Sequence, residues 1–225
     1  MGKPLIRSSD RRGGASEGQC FLYTLPCRDE DLVKVGFSRD PLARMESLHA
    51  RYYDFFDLDR GFVVEIDTVS EARRFELRLK SALAQHNAPQ PLSIHDPAGG
   101  STEWYRGAYG RLMEEAEMLE SDGFTVHHPL RDWIGPRLAM RSDRLYGWGE
   151  VVLTAVEGEP SDLDLPESKS LRAKVLSTLD AYSALDIPLA PLLPDAVMAW
   201  YRREWSATHI DPLPGEADDA IGQSH

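Results

Sequence analysis

The chain reads as an α+β protein. Its first half predicts a small three-stranded antiparallel sheet flanked by helices, and a smaller, mixed and mainly helical C-terminal domain follows. Three observations carry this. Two short runs of apolar, aromatic and β-branched residues, QCFLYTL (19–25) and LVKVGF (32–37), are separated only by the polar PCRDED, as in a hairpin. A third run, GFVVEI (61–66), lies between two stretches with apolar residues at helical spacing. With 42% hydrophobic and 28% charged residues, the 225-residue chain has the composition of a folded globular protein of one large or two small domains.

The elements follow in order. Residues 1–18 are rich in Gly, Ser and Arg and predict a flexible tail. After the hairpin, SRDPLARMESLHARYY starts a helix at Asp40, the N-cap, with Pro41 as its first residue. Beyond the third strand, Ser70 is the expected cap of SEARRFELRLKSALAQH, whose Ala72, Phe75, Leu79 and Leu83 form one apolar stripe. A Pro- and Gly-rich loop leads to TEWYRG and a third helix, RLMEEAEMLES, which Gly123 ends. Residues 19–123 thus form one domain and 124–225 another. The second holds an expected strand over 147–158, the acidic spacer EGEPSDLDLPES, and helices in SLRAKVLSTLDAYSAL and PDAVMAWYRREW. Trp148, Trp200, Tyr201 and Trp205 read as packing aromatics.

Charge is unevenly spread. Residues 1–111 hold 16 basic and 16 acidic residues, whereas 112–225 hold 9 and 21, which accounts for the whole net charge of −12. A neutral half still presents a local basic face, so the total does not exclude a nucleic-acid partner. No apolar run approaches the ~20 residues of a membrane-spanning helix, and MGKPLIRSSDRRGG lacks the apolar core of a secretory signal. The expectation is a cytoplasmic protein without a membrane partner. Cys20 and Cys27 fit no zinc spacing and are expected as reduced structural thiols.

The residues that ask for a function lie on adjacent elements of the first domain: Tyr23 and Lys34 on the hairpin, Arg44 on the first helix, Glu76 on the second. Glu76 follows Phe75 and precedes Leu79 by one turn, so it borders the buried stripe. This set suits phosphodiester hydrolysis. A carboxylate holds Mg²⁺ or Mn²⁺, which polarises the phosphate. An arginine is a permanently charged fork for a phosphate oxygen. A tyrosine or lysine with a lowered pKa takes a proton from water. Arg39, Arg51 and Arg73, with Arg74 and the tail's Arg11 and Arg12, form a candidate DNA-facing strip.

In order and spacing, FLY (21–23), KVG (34–36), Arg44 with LH (48–49) after it, and Glu76 in FELRLKSAL resemble the GIY-YIG nuclease superfamily. The closest likeness is to its phage and bacterial branch, in which the second motif reads K-hydrophobic-G and an E-W-F-like element, here EWY (103–105), closes the domain. The resemblance spans about residues 19–110. It implies a three-stranded sheet with helices that cuts DNA with a divalent metal. Tyr23 then matches the proposed base or water-positioning group, Arg44 the arginine on the scissile phosphate, Glu76 the metal ligand, and Gly36 a glycine that lets the chain turn out of the strand. Lys34 stands where the better-studied branch has a second tyrosine, Phe21 replaces the first-motif glycine, and no closing asparagine follows. Lys34 is a candidate for lowering the pKa of Tyr23, and the choice of base stays open between them.

Each residue also has a plain structural reading. Tyr23 fits a core tyrosine and Lys34 a solvent-facing strand position. Arg44 has Glu46 and Asp40 within reach, and Glu76 has Arg73 and Lys80, as surface pairs that stabilise by only ~0.2–1 kcal/mol. The rival function is a catalytically inert module of the same scaffold that binds nucleic acid or protein. The acidic second half adds a third possibility, an intramolecular or protein partner that restrains the basic face.

Overall fold

The computed structural model describes residues 17–94, 102–143, 145, 148–149 and 166–209. They fall into two compact units, Met1–Ser142 with Asp180–Ile187, and Asp143–Leu179 with Pro188–His225. The tail expected over 1–18 lies outside the described residues except Glu17 and Gly18, which already belong to the first strand.

The hairpin forms as its sequence predicts. β1 (Glu17–Pro26) pairs antiparallel with β2 (Leu32–Ser38) and, on its other side, with β3 (Phe62–Thr68). The expectation of three strands is corrected: the sheet has five, in the order β4-β2-β1-β3-β5, all antiparallel. The additions are β4 (Trp104–Arg106) against β2 and β5 (Val126–His127) against β3. Strands of three and two residues are too short to show a period of two, so only their pairing reveals them.

Residues directly opposite each other in neighbouring strands share a face. The register places Cys20, Leu22, Val33, Val35, Val64, Ile66 and Tyr105 on one face, and these form the main core. That core is closed by Ala72, Leu79 and Leu83 from α3 (Val69–Ala82) with its following turn, and by Leu112, Ala116 and Leu119 from α4 (Tyr109–Ser121). The opposite face carries Phe21, Tyr23, Lys34, Gly36 and Trp104. There Phe21 packs edge-on against Trp133 of α5 (Leu130–Ala139), with ring centres 4.9 Å apart. Tyr23 meets α1 (Pro41–Leu48), and a single-turn α2 (Tyr52–Phe55) follows.

Helix boundaries follow their caps. Asp40 Oδ1 accepts from the Ala43 amide at 3.0 Å, and Pro41 opens α1 as expected. At α3 the expected cap, Ser70, is displaced by Thr68, whose Oγ1 accepts from the Glu71 amide at 3.1 Å. Thr68 is still extended, with φ −138° and ψ 146°, whereas Ser70 already lies in the first helical turn. Thr68→Ala is therefore expected to lower stability by about 1 kcal/mol and Ser70→Ala by far less, measured as urea midpoints. Gly123, at φ +93°, ends the segment after α4 in the left-handed region.

Both cysteines are free and buried, and burial pushes both thiols up, Cys27 to about 12. In the second unit, a helix over Asp195–His209 buries Trp200 and Tyr201 while Trp205 stays half-exposed, and Glu204 accepts from Arg172 of the helix Pro166–Ala184 at 2.6 Å. Of the strand expected over 147–158, only Trp148 and Gly149 are described, and both are helical. No helix among the described residues is long and apolar enough to cross a membrane.

Candidate active site

Tyr23 lies opposite Gly36 in the hairpin, and the two side-chain positions coincide in space. A Cβ built on Gly36 would fall on the Tyr23 hydroxyl and lie 2.7 Å from Cζ. Gly36 therefore does not serve a turn, as the motif implies. It sits inside β2, and its missing side chain is the space the phenol occupies. Gly36→Ala is expected to lower stability by about 1–3 kcal/mol through overpacking and to displace the hydroxyl. The loss should shrink in a Tyr23→Ala background, as a thermal-melting double-mutant cycle would show.

Arg44 stands one turn into α1, and its Nε donates to the Tyr23 hydroxyl at a long 3.4 Å. The surface pairing available to it in sequence does not form. Asp40 and Glu46 instead bind Arg141, at 2.7 and 3.1 Å, and this clamps α1 at both ends. Arg44 is thereby held over the same sheet face as Tyr23.

Lys34 is not solvent-facing. It is 1% exposed, and its Nζ donates to Glu103 Oε2 at 2.9 Å, with the Trp104 ring 5.6 Å away. Glu103 also accepts from Thr102 Oγ1 at 2.9 Å and lies 3.9 Å from Lys80 Nζ. Burial lowers the Lys34 pKa, and the contact with Glu103 recovers only part of the shift. Burial also acts to raise Glu103, but the hydrogen bond and charge of Lys34, with help from Thr102, hold its carboxyl below the ordinary value.

Glu76 on α3 is half-buried, and its carboxylate has no hydrogen-bond or ion-pair partner among the described residues. The anticipated bridge to Arg73 or Lys80 is thus not made at contact distance. Burial raises its pKa first, the charge of Glu103 raises it further, and Lys34, Lys80 and Arg73 offset part of this. Tyr23 is also raised, mainly by burial, with the Arg44 hydrogen bond opposing and the charges of Glu76 and Glu103 reinforcing. The Tyr23 pKa thus stands above its ordinary value, where the sequence reading expected Lys34 to lower it. Burial keeps the phenol protonated, and burial moves Lys34 downward while its hydrogen bond to Glu103 opposes the shift.

Arg44, Glu76 and Glu103 thus each act on both Tyr23 and Lys34. Glu103 is the member that sequence reasoning left without a role, although it opens the EWY element. Nothing local marks it, and only the pairing of β4 with β2 shows that it meets Lys34. Of the candidate DNA-facing arginines, Arg39 and Arg73 are exposed. Arg51 is held between Asp180, at 3.3 Å, and Asp54, at 3.5 Å. His49 packs flat on Phe55 and accepts from the Arg51 amide at 3.1 Å, a structural histidine. Among the described residues no three His, Cys, Asp or Glu side chains gather into a group able to hold a metal by themselves.

No curated protein and no solved structure matches the chain significantly. Residues 21–120 match the family model described as the T5orf172 domain, a span that contains all five clustered residues and ends before β5.

Proposed function

We propose that the domain is a metal-dependent endonuclease that hydrolyses phosphodiester bonds in DNA. The observation that carries this is Glu76, a half-buried carboxylate without a partner among the described residues, in the neighbourhood of a buried lysine, an arginine and a tyrosine hydroxyl. An unpaired carboxylate in such a place is unfavourable unless something positive joins it. The donor set suits Mg²⁺ or Mn²⁺: these ions accept one or two carboxylates and complete their shell with water and phosphate oxygens. Glu76 would hold the ion, with Glu103 beside it committed to Lys34. When bound, the ion supplies charge that polarises the phosphate and stabilises the leaving oxygen.

The chain's own residues do the rest. Arg44 neutralises a non-bridging oxygen as negative charge builds there. Tyr23, kept a phenol by burial, orients the attacking water through its hydroxyl. Lys34, which donates to Glu103, would relay the water's proton, taking it up as its own passes to the Glu103 carboxylate. The water oxygen bonds to phosphorus while the bond to the leaving oxygen breaks. The match to the T5orf172 domain is compatible with nuclease-like or DNA-binding activity.

The test is conversion of supercoiled plasmid to nicked or linear form by the purified full chain. Conversion is expected with Mg²⁺ or Mn²⁺ and none with EDTA. A second reading has one observation in its favour: a cation at Glu76 would find no second uncommitted carboxylate in the cluster. On that reading the domain is an inert binding module, and it binds DNA equally with metal or EDTA and never cuts it.

A further inference from the structure

β5 and the first turns of α5 line an open cavity of about 330 Å³ whose walls include His127, His128, Asp132, Trp133 and Arg137. These residues lie beyond the T5orf172 match. Arg137 is the cavity's cation, and it is held in an unusual way. Its guanidinium sits 3.6 Å from the centre of the Trp133 ring and 5.9 Å from that of Phe21, and one of its nitrogens, Nη1, donates to the Trp133 carbonyl at 3.0 Å. Among the described residues no carboxylate lies within ion-pair distance of it, and its Nε and Nη2 have no acceptor. The acidic groups whose fields reach it are already engaged. Glu65 binds His127 Nε2 at 2.9 Å, while Asp40 binds Arg141 and caps α1. Asp132 on the cavity wall is exposed to solvent.

Aromatic stacking and one carbonyl thus fix the arginine and leave half of its fork open in a cavity that His128 also lines. A rigid, planar fork of this kind suits the oxygens of a phosphate. Its place in the fold names the source. Phe21, under Arg137, precedes Tyr23 by two residues on the same sheet face, a separation of about 6.8 Å along a strand. The cavity therefore lies beside the cluster that carries the proposed chemistry, within the reach of a strand bound there.

We propose that Arg137, on the cavity wall it shares with His128, binds a backbone phosphate of the nucleic-acid strand a few nucleotides from the one that is cut. The proposal rests on the nuclease reading and adds a substrate contact outside the matched domain.

The experiment measures binding of a labelled DNA duplex to the full chain in EDTA over a series of salt concentrations, for wild type, Arg137→Gln and Arg137→Lys. One lost phosphate contact lowers the slope of log K against log[salt] by about 0.9. Arg137→Gln is expected to show that drop and weaker binding, and Arg137→Lys to recover the wild-type slope. Because Arg137→Gln also removes the stacking on Trp133, the Nε–H NMR signal of Arg137 is followed in wild-type protein as well. It should shift on addition of duplex. Wild type that binds duplex with an Arg137→Gln slope equal to its own overturns the proposal and leaves the nuclease reading standing. An Arg137 signal that moves with inorganic phosphate and ignores the duplex overturns it too, in favour of a free-anion site. Wild type that neither binds nor cuts DNA removes the nuclease reading, and this proposal with it.

Discussion

Glu76→Gln is expected to lose metal-dependent cleavage by about 100-fold or more, since a bound ion contributes several kcal/mol to a phosphoryl-transfer transition state. Its melting temperature should stay level or rise. The physical reason is the state of the native carboxylate. Burial and the neighbouring charge of Glu103 both raise its pKa, so ionisation at neutral pH works against folding. A neutral amide of the same shape removes that penalty. The two readouts must therefore move apart, activity down and stability unchanged or up, as at other sites where function is held at the expense of stability. If Glu76 were an ordinary surface bridge to Arg73 or Lys80, the substitution would lower stability slightly and leave cleavage intact. Parallel plasmid assays and thermal melts separate the cases.

The Lys34–Glu103 pair carries the second large effect. Lys34 is 1% exposed and Glu103 is its carboxylate partner. Removing one member of a buried pair leaves an uncompensated charge, so Glu103→Ala should destabilise the fold by about 3–5 kcal/mol. Replacing both, as Lys34→Met with Glu103→Leu, removes the charge with its partner and should recover most of that loss. If Lys34 serves the chemistry, the recovered double variant is folded and does not cut. The pH dependence has a definite sign. The folded-state pKa of Glu103 lies below its ordinary value. Its stabilisation is then fully present above the ordinary carboxylate range and is lost as pH falls through the folded-state value. The gap in urea midpoint between wild type and Glu103→Ala should accordingly narrow on acidification from pH 7 into that range. A gap that persists unchanged would mean that the pair's charges are not what holds it.

Much of this protein is legible along the chain. The hairpin announces itself through two short apolar, β-branched and aromatic runs around a polar turn, and α1 through Asp40 and Pro41, because these are local signals read over a few residues. The α3 stripe is legible for the same reason, and with it the placing of Glu76 at the edge of the core. The cap at Thr68 was less so, since Thr68 and Ser70 are both good capping residues and only the backbone angles choose between them.

What the tertiary structure alone decided are contacts between residues far apart in the chain. β4 and β5 exist because β2 and β3 have free edges, not because three or two residues prefer to be strand. Lys34 meets Glu103 across 69 positions, Arg141 reaches back to Asp40 across 101, and Arg137 comes to rest over Phe21. Sequence by itself determined which residue types were present to do chemistry and which elements carry them. Their charge states were not determined there. Burial is a property of the assembled fold, and burial lowers the lysine's pKa and keeps the tyrosine a phenol.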